Sequence, residues 1–140
     1  MSVNTAKVEL HNALYAALSP NGVIVPTLSN LGFTAIYNIR GVPPGTKPQY
    51  VLIGDTQEIP NNAFRRKGYT LLTSIHLFTR DNGTLNADKA VDYLNSLFDQ
   101  QTLTLATLTM VSMMYNMANG VQDADGLTWH VTLKYDIFIQ

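Results

Sequence analysis

The feature that most constrains the fold of this chain is the alternating segment Leu127–Ile139 near its end. One set of alternate positions carries large apolar side chains: Trp129, Val131, Leu133, Tyr135, Ile137 and Ile139. The positions between them carry His130, Thr132, Lys134 and Asp136, and only Phe138 departs from the pattern. A period of two over this length predicts a β-strand with one buried face, so the fold must contain a sheet.

The remaining elements follow from local periodicity and from turn residues. Apolar residues at steps of three and four predict two amphipathic helices, at about Asn4–Leu18 and Ala87–Gln100. Four further strands are predicted: about Phe33–Arg40, Tyr50–Ile53, Tyr69–Arg80 and Leu108–Met117. The order α-β-β-β-α-β-β predicts an α+β fold. We expect one domain over residues 1–140, with an antiparallel or mixed sheet of about five strands and two helices packed on one face.

The segment Asp55–Gly68 is predicted to be a long polar connection, after a short strand Tyr50–Ile53 that returns in a hairpin from the strand before it. It holds one aromatic residue next to the basic run of the chain: Phe64, Arg65, Arg66 and Lys67. One interpretation is an arm that contacts an acidic partner surface or nucleic-acid phosphates; the other is a solvated loop end.

The predicted strand Leu108–Met117 is rich in methionine, an adaptable residue that suits interfaces which repack. Strict alternation places Met113, Tyr115 and Met117 on one face and Met110 and Met114 on the other. With both faces apolar, one face is expected to pack on the helices. A neighbouring subunit is one candidate cover for the other face, and plain core is the alternative.

The sequence contains few of the residue patterns that catalytic, cofactor or metal sites use. Without any cysteine, disulfides, thiolate metal sites and cysteine nucleophiles are excluded. No phosphate-binding loop and no G-x-S-x-G elbow is present, so no catalytic site and no cofactor is predicted. His76 and His130 lie on strands that could pair, but a third ligand is missing, so no metal is predicted either.

The overall charge and hydropathy favour protein partners over nucleic acid or a membrane. A formal net charge of -1 provides no general basic footprint for nucleic acid. Only 14% of the residues are charged, which suits lasting contact with other chains. No secretory signal is visible, and no apolar stretch approaches the roughly 18 residues that span a membrane, so no membrane partner is expected.

In the order of its elements the chain resembles the small tail-completion, or tail terminator, proteins of long-tailed phages. Four pieces carry the resemblance: the helix with Leu10–Leu18, the strand Pro48–Asp55 (P-Q-Y-V-L-I-G-D), the strand Leu71–Arg80, and the turn Asp123–Gly126 that leads to Trp129-His130-Val131. The stretch Y-V-x-I-G-D before a polar segment is the most specific of them.

The resemblance implies a structural virion protein without enzymatic activity. It would assemble in the host cytoplasm, take its place at the head-proximal end of the tail and cap the tail tube as a homo-oligomeric ring, commonly a hexamer. Its partners would be the tail tube protein and the head-tail connector protein, and DNA would pass through the lumen without specific binding. A small soluble binding module of unknown ligand stays open as the alternative, because such pockets leave no trace in a sequence.

Overall fold

The computed structural model describes residues 6–38, 41–63, 66–80 and 84–140 of the chain. Its helices are α1 (Ala6–Leu18), α2 (Pro26–Asn30) and α3 (Leu85–Phe98), with a 3-10 turn at Pro20–Gly22. Its strands are β1 (Ile36–Asn38), β2 (Tyr50–Ala63), β3 (Arg66–Thr79), β4 (Met110–Gln122) and β5 (Trp129–Ile139). They form one mixed sheet in the order β1-β2-β3-β5-β4, so the predicted α+β class is confirmed.

The core lies between one face of the sheet and the helices. The apolar stripe of α1 is fully buried at Leu10, Leu14 and Leu18, and the stripe of α3 is fully buried at Leu94 and Phe98. Both stripes belong to one core cluster with the predicted inner positions of β5. The short helix α2 was not predicted; it begins at a proline and contributes one fully buried residue, Leu28.

Tyr135 links the sheet to α3 in the middle of this core. Its ring meets Phe98 edge-on with 5.9 Å between centroids, and its hydroxyl donates to Asn95 Oδ1 at 2.7 Å. Burial raises the pKa of Tyr135 well above its usual value, so the hydroxyl keeps its proton and acts as the donor. A buried tyrosine with a satisfied hydroxyl fixes how α3 sits on β5.

Two predictions about the first half of the sheet were wrong. The strand at Tyr50 does not return in a hairpin, because β1 and β2 are parallel, with Ile36 opposite Val51. The segment Asp55–Gly68 is not a loop, because β2 runs to Ala63 and pairs in register with β3 from Arg66 onwards. Main-chain hydrogen bonds form the ladder whatever the side chains are, so a polar hairpin gives no apolar pattern to read.

β2 contains a proline and a glycine, residues that are uncommon inside strands, and the position of each explains its presence. Pro60 lies in its outer half, beyond the three residues that β1 covers, and proline is accepted on a strand edge because its missing N–H costs no ladder bond there. Gly54 lies at the register shift between Ile53 and Thr56, where an added Cβ would overlap the Ser74 hydroxyl. Glycine therefore lets the two strands approach closely at this bulge.

A buried carboxylate joins α1 to the connection between α3 and β4. Glu9 is 2% exposed and accepts hydrogen bonds from Thr107 N at 2.7 Å, Leu108 N at 3.1 Å and the Thr107 hydroxyl. Burial raises its pKa, but these hydrogen bonds outweigh burial and the net pKa lies below its usual value. In the part of the chain that the structure describes, no helix is long and apolar enough to cross a bilayer.

Candidate assembly surface

The face of the sheet opposite the core, which we call the open face, has no helix over it among the described residues. It nevertheless presents apolar side chains in its middle and at its β4 side: Leu72 (40% exposed), Met117 (43%), Met114 (45%) and Val121 (52%). Between Leu72 and Met117 lies a depression of about 450 Å³ that Lys134 and Asp136 also line. A contiguous apolar surface with a few charges at its centre is a typical protein-binding surface.

A row of rings crosses the open face from β1 to β5. Tyr37 meets Tyr50 edge-on at 5.3 Å between centroids, Tyr50 stacks on Phe78 at 5.0 Å, and Phe78 stacks on His130 at 4.3 Å. Each ring belongs to a different strand, and Phe78 lies opposite both Tyr50 and His130 in the registers. The row places rigid flat groups side by side across four strands, which lowers the entropy cost of docking a partner there.

The structure brings together the two strand histidines that the sequence singled out. His76 Nδ1 and His130 Nε2 lie 2.8 Å apart and share one hydrogen, and the Thr132 hydroxyl lies 3.2 Å from His76 Nδ1. Burial and then the nearby His130 and Lys134 lower the pKa of His76 to about 4, and burial also lowers the pKa of His130. Both imidazoles are therefore neutral near pH 7.

This pair lacks the surroundings of a metal site. Within the described residues no three His, Asp or Glu side chains converge in a way that could hold a metal ion. One acidic residue, Asp123, approaches the other side of the His130 ring, with 3.9 Å between Oδ1 and Nδ1. That these histidines bind no metal and perform no catalysis stays a prediction.

The predicted faces of the methionine-rich strand were partly wrong. Met113 is fully buried in the core, and Tyr115 meets the core residue Tyr135 edge-on, as their shared face requires. Met117, however, lies on the open face, and Met110 is buried beside Met113. The register of β4 shifts between Met110 and Ser112 and again between Tyr115 and Met117, and each inserted residue reverses the alternation beyond it.

Of the four candidate residues of the predicted arm, Phe64 and Arg65 fall outside the described residues. Arg66 and Lys67 are the first residues of β3, where Arg66 pairs with Ala63 of β2, and their side chains also lie outside the described part. The role of these four residues as an interface stays a prediction.

The sequence did not predict that part of the outer edge of β4 is covered. Gln100 N–H donates to Met113 C=O at 2.8 Å, and Asp99 Oδ1 accepts from Tyr115 N–H at 2.8 Å. Gln100 reaches this position with a φ of 58°, in the left-handed region. The end of α3 thus blocks the first half of this edge, as natural sheets commonly do. A signal was available in the composition of β4, M-V-S-M-M-Y-N-M-A-N-G-V-Q, which has no charged residue.

Comparison with known proteins gives a family and a fold. A family model described as "Tail completion protein gp17" matches residues 12–140. A chain of the solved structure titled "Virion of native gene transfer agent (GTA) particle" superposes with a TM-score of 0.82 at 20% sequence identity, covering 97% of this chain and 98% of that chain. At this identity the likeness shows a shared fold. No curated protein matches the chain.

Proposed function

The chain belongs to the tail completion protein gp17 family, and from this premise we propose that it closes a phage-like tail as a homo-oligomeric ring. The chain is a structural virion tail protein. In the proposal, six copies form the ring at the head-proximal end of the tail, bind the tail tube protein on one side and the head-tail connector protein on the other, and catalyse no reaction.

The observation that supports the ring proposal is the exposed apolar surface of the open face. Its exposed apolar residues, Leu72, Met114, Met117 and Val121, would be costly to leave in water at roughly 25 cal/mol per Å² of apolar surface. Contact with other copies or with the tail tube removes that cost. Lys134 and Asp136 line the same depression, so the charges there are of opposite sign.

The charge of the chain supports a lumen that lets DNA slide. With a formal net charge of -1, each copy adds no general attraction for phosphate groups. A strongly basic ring would hold DNA through counterion release, which strengthens with each neutralised phosphate. Passage without specific binding therefore needs a near-neutral subunit such as this one.

We also propose that the tip of the β2–β3 hairpin is an assembly arm that contacts the tail tube. The last residue of β3 with a partner on β5 is Tyr69, and from Gly68 to the tip the hairpin is only two strands wide. Two strands alone are marginally stable in water, so a partner surface that orders them is expected. The aromatic Phe64 is suited to anchor such a contact, and Arg65 and Arg66 to steer it.

A complementation experiment tests the ring proposal. Cells that produce the phage-like particle without this protein should yield tails without a closed head-proximal end and without attached heads. Supplying the protein should restore joined particles, and cryo-electron microscopy should show its ring between the tube and the connector. Joined particles at normal yield in its absence, or density for it only elsewhere on the particle, would contradict the proposal.

Variants of the tip test the arm. Phe64→Ala should give folded protein that completes few tails, since a buried aromatic anchor is typically worth about 2 kcal/mol or more. The double change of Arg65 and Arg66 to Ala should slow completion, and more so at low salt, where steering is strongest. Lys47→Ala, in the exposed connection between β1 and β2, is the matched control. Normal tail yield for both tip variants would mean that the hairpin only connects β2 to β3 and is not an assembly arm.

A further inference from the structure

Among the described residues, two strand edges at opposite sides of the sheet have stretches without a neighbouring strand. On one side, the end of α3 blocks β4 only as far as Tyr115. Asp123 N–H donates across the turn to Thr128 C=O, and alternation back along β4 then turns the backbone groups of Ala118, Gly120 and Gln122 away from β5. Among the described residues these groups have no partner strand.

The opposite edge is β1. Val51 N–H donates to Ala35 C=O, so alternation turns the backbone groups of Ile36 and Asn38 away from β2. Asn38 C=O accepts one hydrogen bond from Gly41 N–H, which leaves its N–H and both groups of Ile36 facing outwards. The open stretch of β1 is short, and so is the open stretch of β4.

The two open stretches lie at the same level of the sheet. Following the registers strand by strand, Ala118 stands in one row with Asn38, and Gly120 stands in one row with Ile36. Because β1 runs parallel to β2 and each later neighbour in the sheet is antiparallel, β4 runs antiparallel to β1. Copies placed side by side would therefore bring an antiparallel pair of edges together without any shift along the strands.

We propose that β4 of one copy pairs with β1 of the next, with Gly120 opposite Ile36 and Ala118 opposite Asn38. This inference rests on the proposed ring and names the joint that builds it. The joint is head-to-tail, and a head-to-tail contact produces a ring where the rotation between copies closes and a filament where it does not. The sheet would then continue from copy to copy around the ring.

The side chains at the two edges suit this joint. No charge on β4 opposes burial of its edge. On the open face Asn119 would stand opposite Tyr37, which ends the row of rings, and Val121 would pack diagonally against that ring. On the core side the small residues Ala118 and Gly120 would face the groove beside α1.

That groove leaves room for an incoming strand. It measures about 370 Å³ and is lined by His11, Asn12 and Tyr15 of α1 and by Asn38 of β1. The small side chains of Ala118 and Gly120 would let the β4 edge lie close to α1 in this groove. The groove and the edge together form one half of the joint.

Engineered cysteines test the joint directly, because the chain has no cysteine of its own. The variant with Tyr37→Cys and Asn119→Cys should form disulfides between copies under oxidising conditions on assembled tails, giving a covalent ladder up to the closed ring. Either single variant should stay uncrosslinked, and a mixture of the two single variants should stop at dimers. The pair Tyr37→Cys with Met114→Cys is the control, because Met114 lies on the same face in the blocked half of β4.

A charge at the edge provides a second measurement. Val121→Lys should abolish ring closure while the thermal midpoint of the isolated subunit is unchanged, since Val121 is 52% exposed. Val111→Lys, on the blocked half of the same strand and 47% exposed, should leave the ring intact.

The outcomes separate this joint from the proposed function. Rings on tails that never crosslink through the cysteine pair, and that tolerate Val121→Lys, would overturn the joint and leave the ring standing. Dimers from the Asn119→Cys variant alone would show a two-fold contact between β4 edges and would also overturn it. Absence of any ring on completed tails would overturn both.

Discussion

Replacing the buried Glu9 by alanine should destabilise the protein more than the same replacement at any other polar residue of α1. The carboxylate accepts hydrogen bonds from the backbone N–H groups of Thr107 and Leu108 and from the Thr107 hydroxyl. Alanine removes all three bonds and leaves two backbone donors without their acceptor. A hydrogen bond to a charged group contributes about 1.5–3 kcal/mol when solvent is excluded.

The exposure of the loop puts the cost of each lost hydrogen bond below that range. Ala106 and Thr107 are exposed, so water can reach the donors once the carboxylate is gone. At about 1 kcal/mol for each bond, the total loss for Glu9→Ala is about 3 kcal/mol. Unfolding entropy for a chain of this length makes each kcal/mol worth about 3 °C, so the melting temperature should fall by about 10 °C.

The conservative variant separates charge from shape. Glu9→Gln keeps an oxygen for the two backbone donors and should cost about 1 kcal/mol, or about 3 °C. The folded pKa of Glu9 lies below its unfolded value of 4.5, so its stabilisation is complete above pH 4.5 and is lost as the pH falls through the folded pKa. The difference between wild type and Glu9→Gln should therefore disappear in acid.

Thermal unfolding followed by circular dichroism at pH 7 and pH 3 measures both effects. Asp92→Ala, on the exposed side of α3, is the control and should shift the midpoint by no more than about 0.5 kcal/mol. If Glu9→Ala melts within about 2 °C of Asp92→Ala at pH 7, the carboxylate does not hold the loop and the reasoning from its hydrogen bonds fails.

Three further results are expected. The folded pKa of His76 is about 4, below its unfolded value of 6.5, so the stability that neutral His76 provides is complete above pH 6.5 and is lost towards pH 4. His76→Gln should therefore flatten this part of a plot of stability against pH. An unchanged slope would refute the assignment. Elemental analysis should find no stoichiometric metal, and His76→Ala and His130→Ala should leave assembly nearly intact. Stoichiometric zinc that is lost in either variant would overturn the prediction that these histidines bind no metal. Gly120→Ala should cost about 1–3 kcal/mol in chemical denaturation because the new Cβ would overlap the Trp129 ring, whereas a stable Gly120→Ala protein would mean that the ring can move aside.

Burial patterns along single segments were readable without the structure. The alternation of β5 places Val131, Leu133 and Ile137 in the core, and the helical stripe of α1 places Leu10 and Leu14 in the same core cluster. Each of these patterns follows from a fixed local period, two residues for a strand and about 3.6 for a helix, so a side chain's face follows from its position in the segment. The α+β class followed from the order of those segments.

The candidate assembly surface depended on features that no local period contains. The bulge after Tyr115 moves Met117 to the open face, and nothing in the spacing of the methionines indicates where that extra residue is inserted. The β2–β3 hairpin is held by backbone hydrogen bonds between polar residues, so its sequence resembles a loop.

Tertiary pairing also decided which strand edges stay open. Asp99 and Gln100 block half of β4 only because the end of α3 is folded against that strand. The equal height of the open edges of β4 and β1 is a property of four successive registers across the sheet. In the regular segments α1, α3 and β5 the sequence alone indicates which side chains avoid water, because the period of each of these segments is unbroken. Which surfaces are left to bind another chain was decided by contacts between segments far apart in the sequence, because strand register and edge coverage exist only once those segments meet.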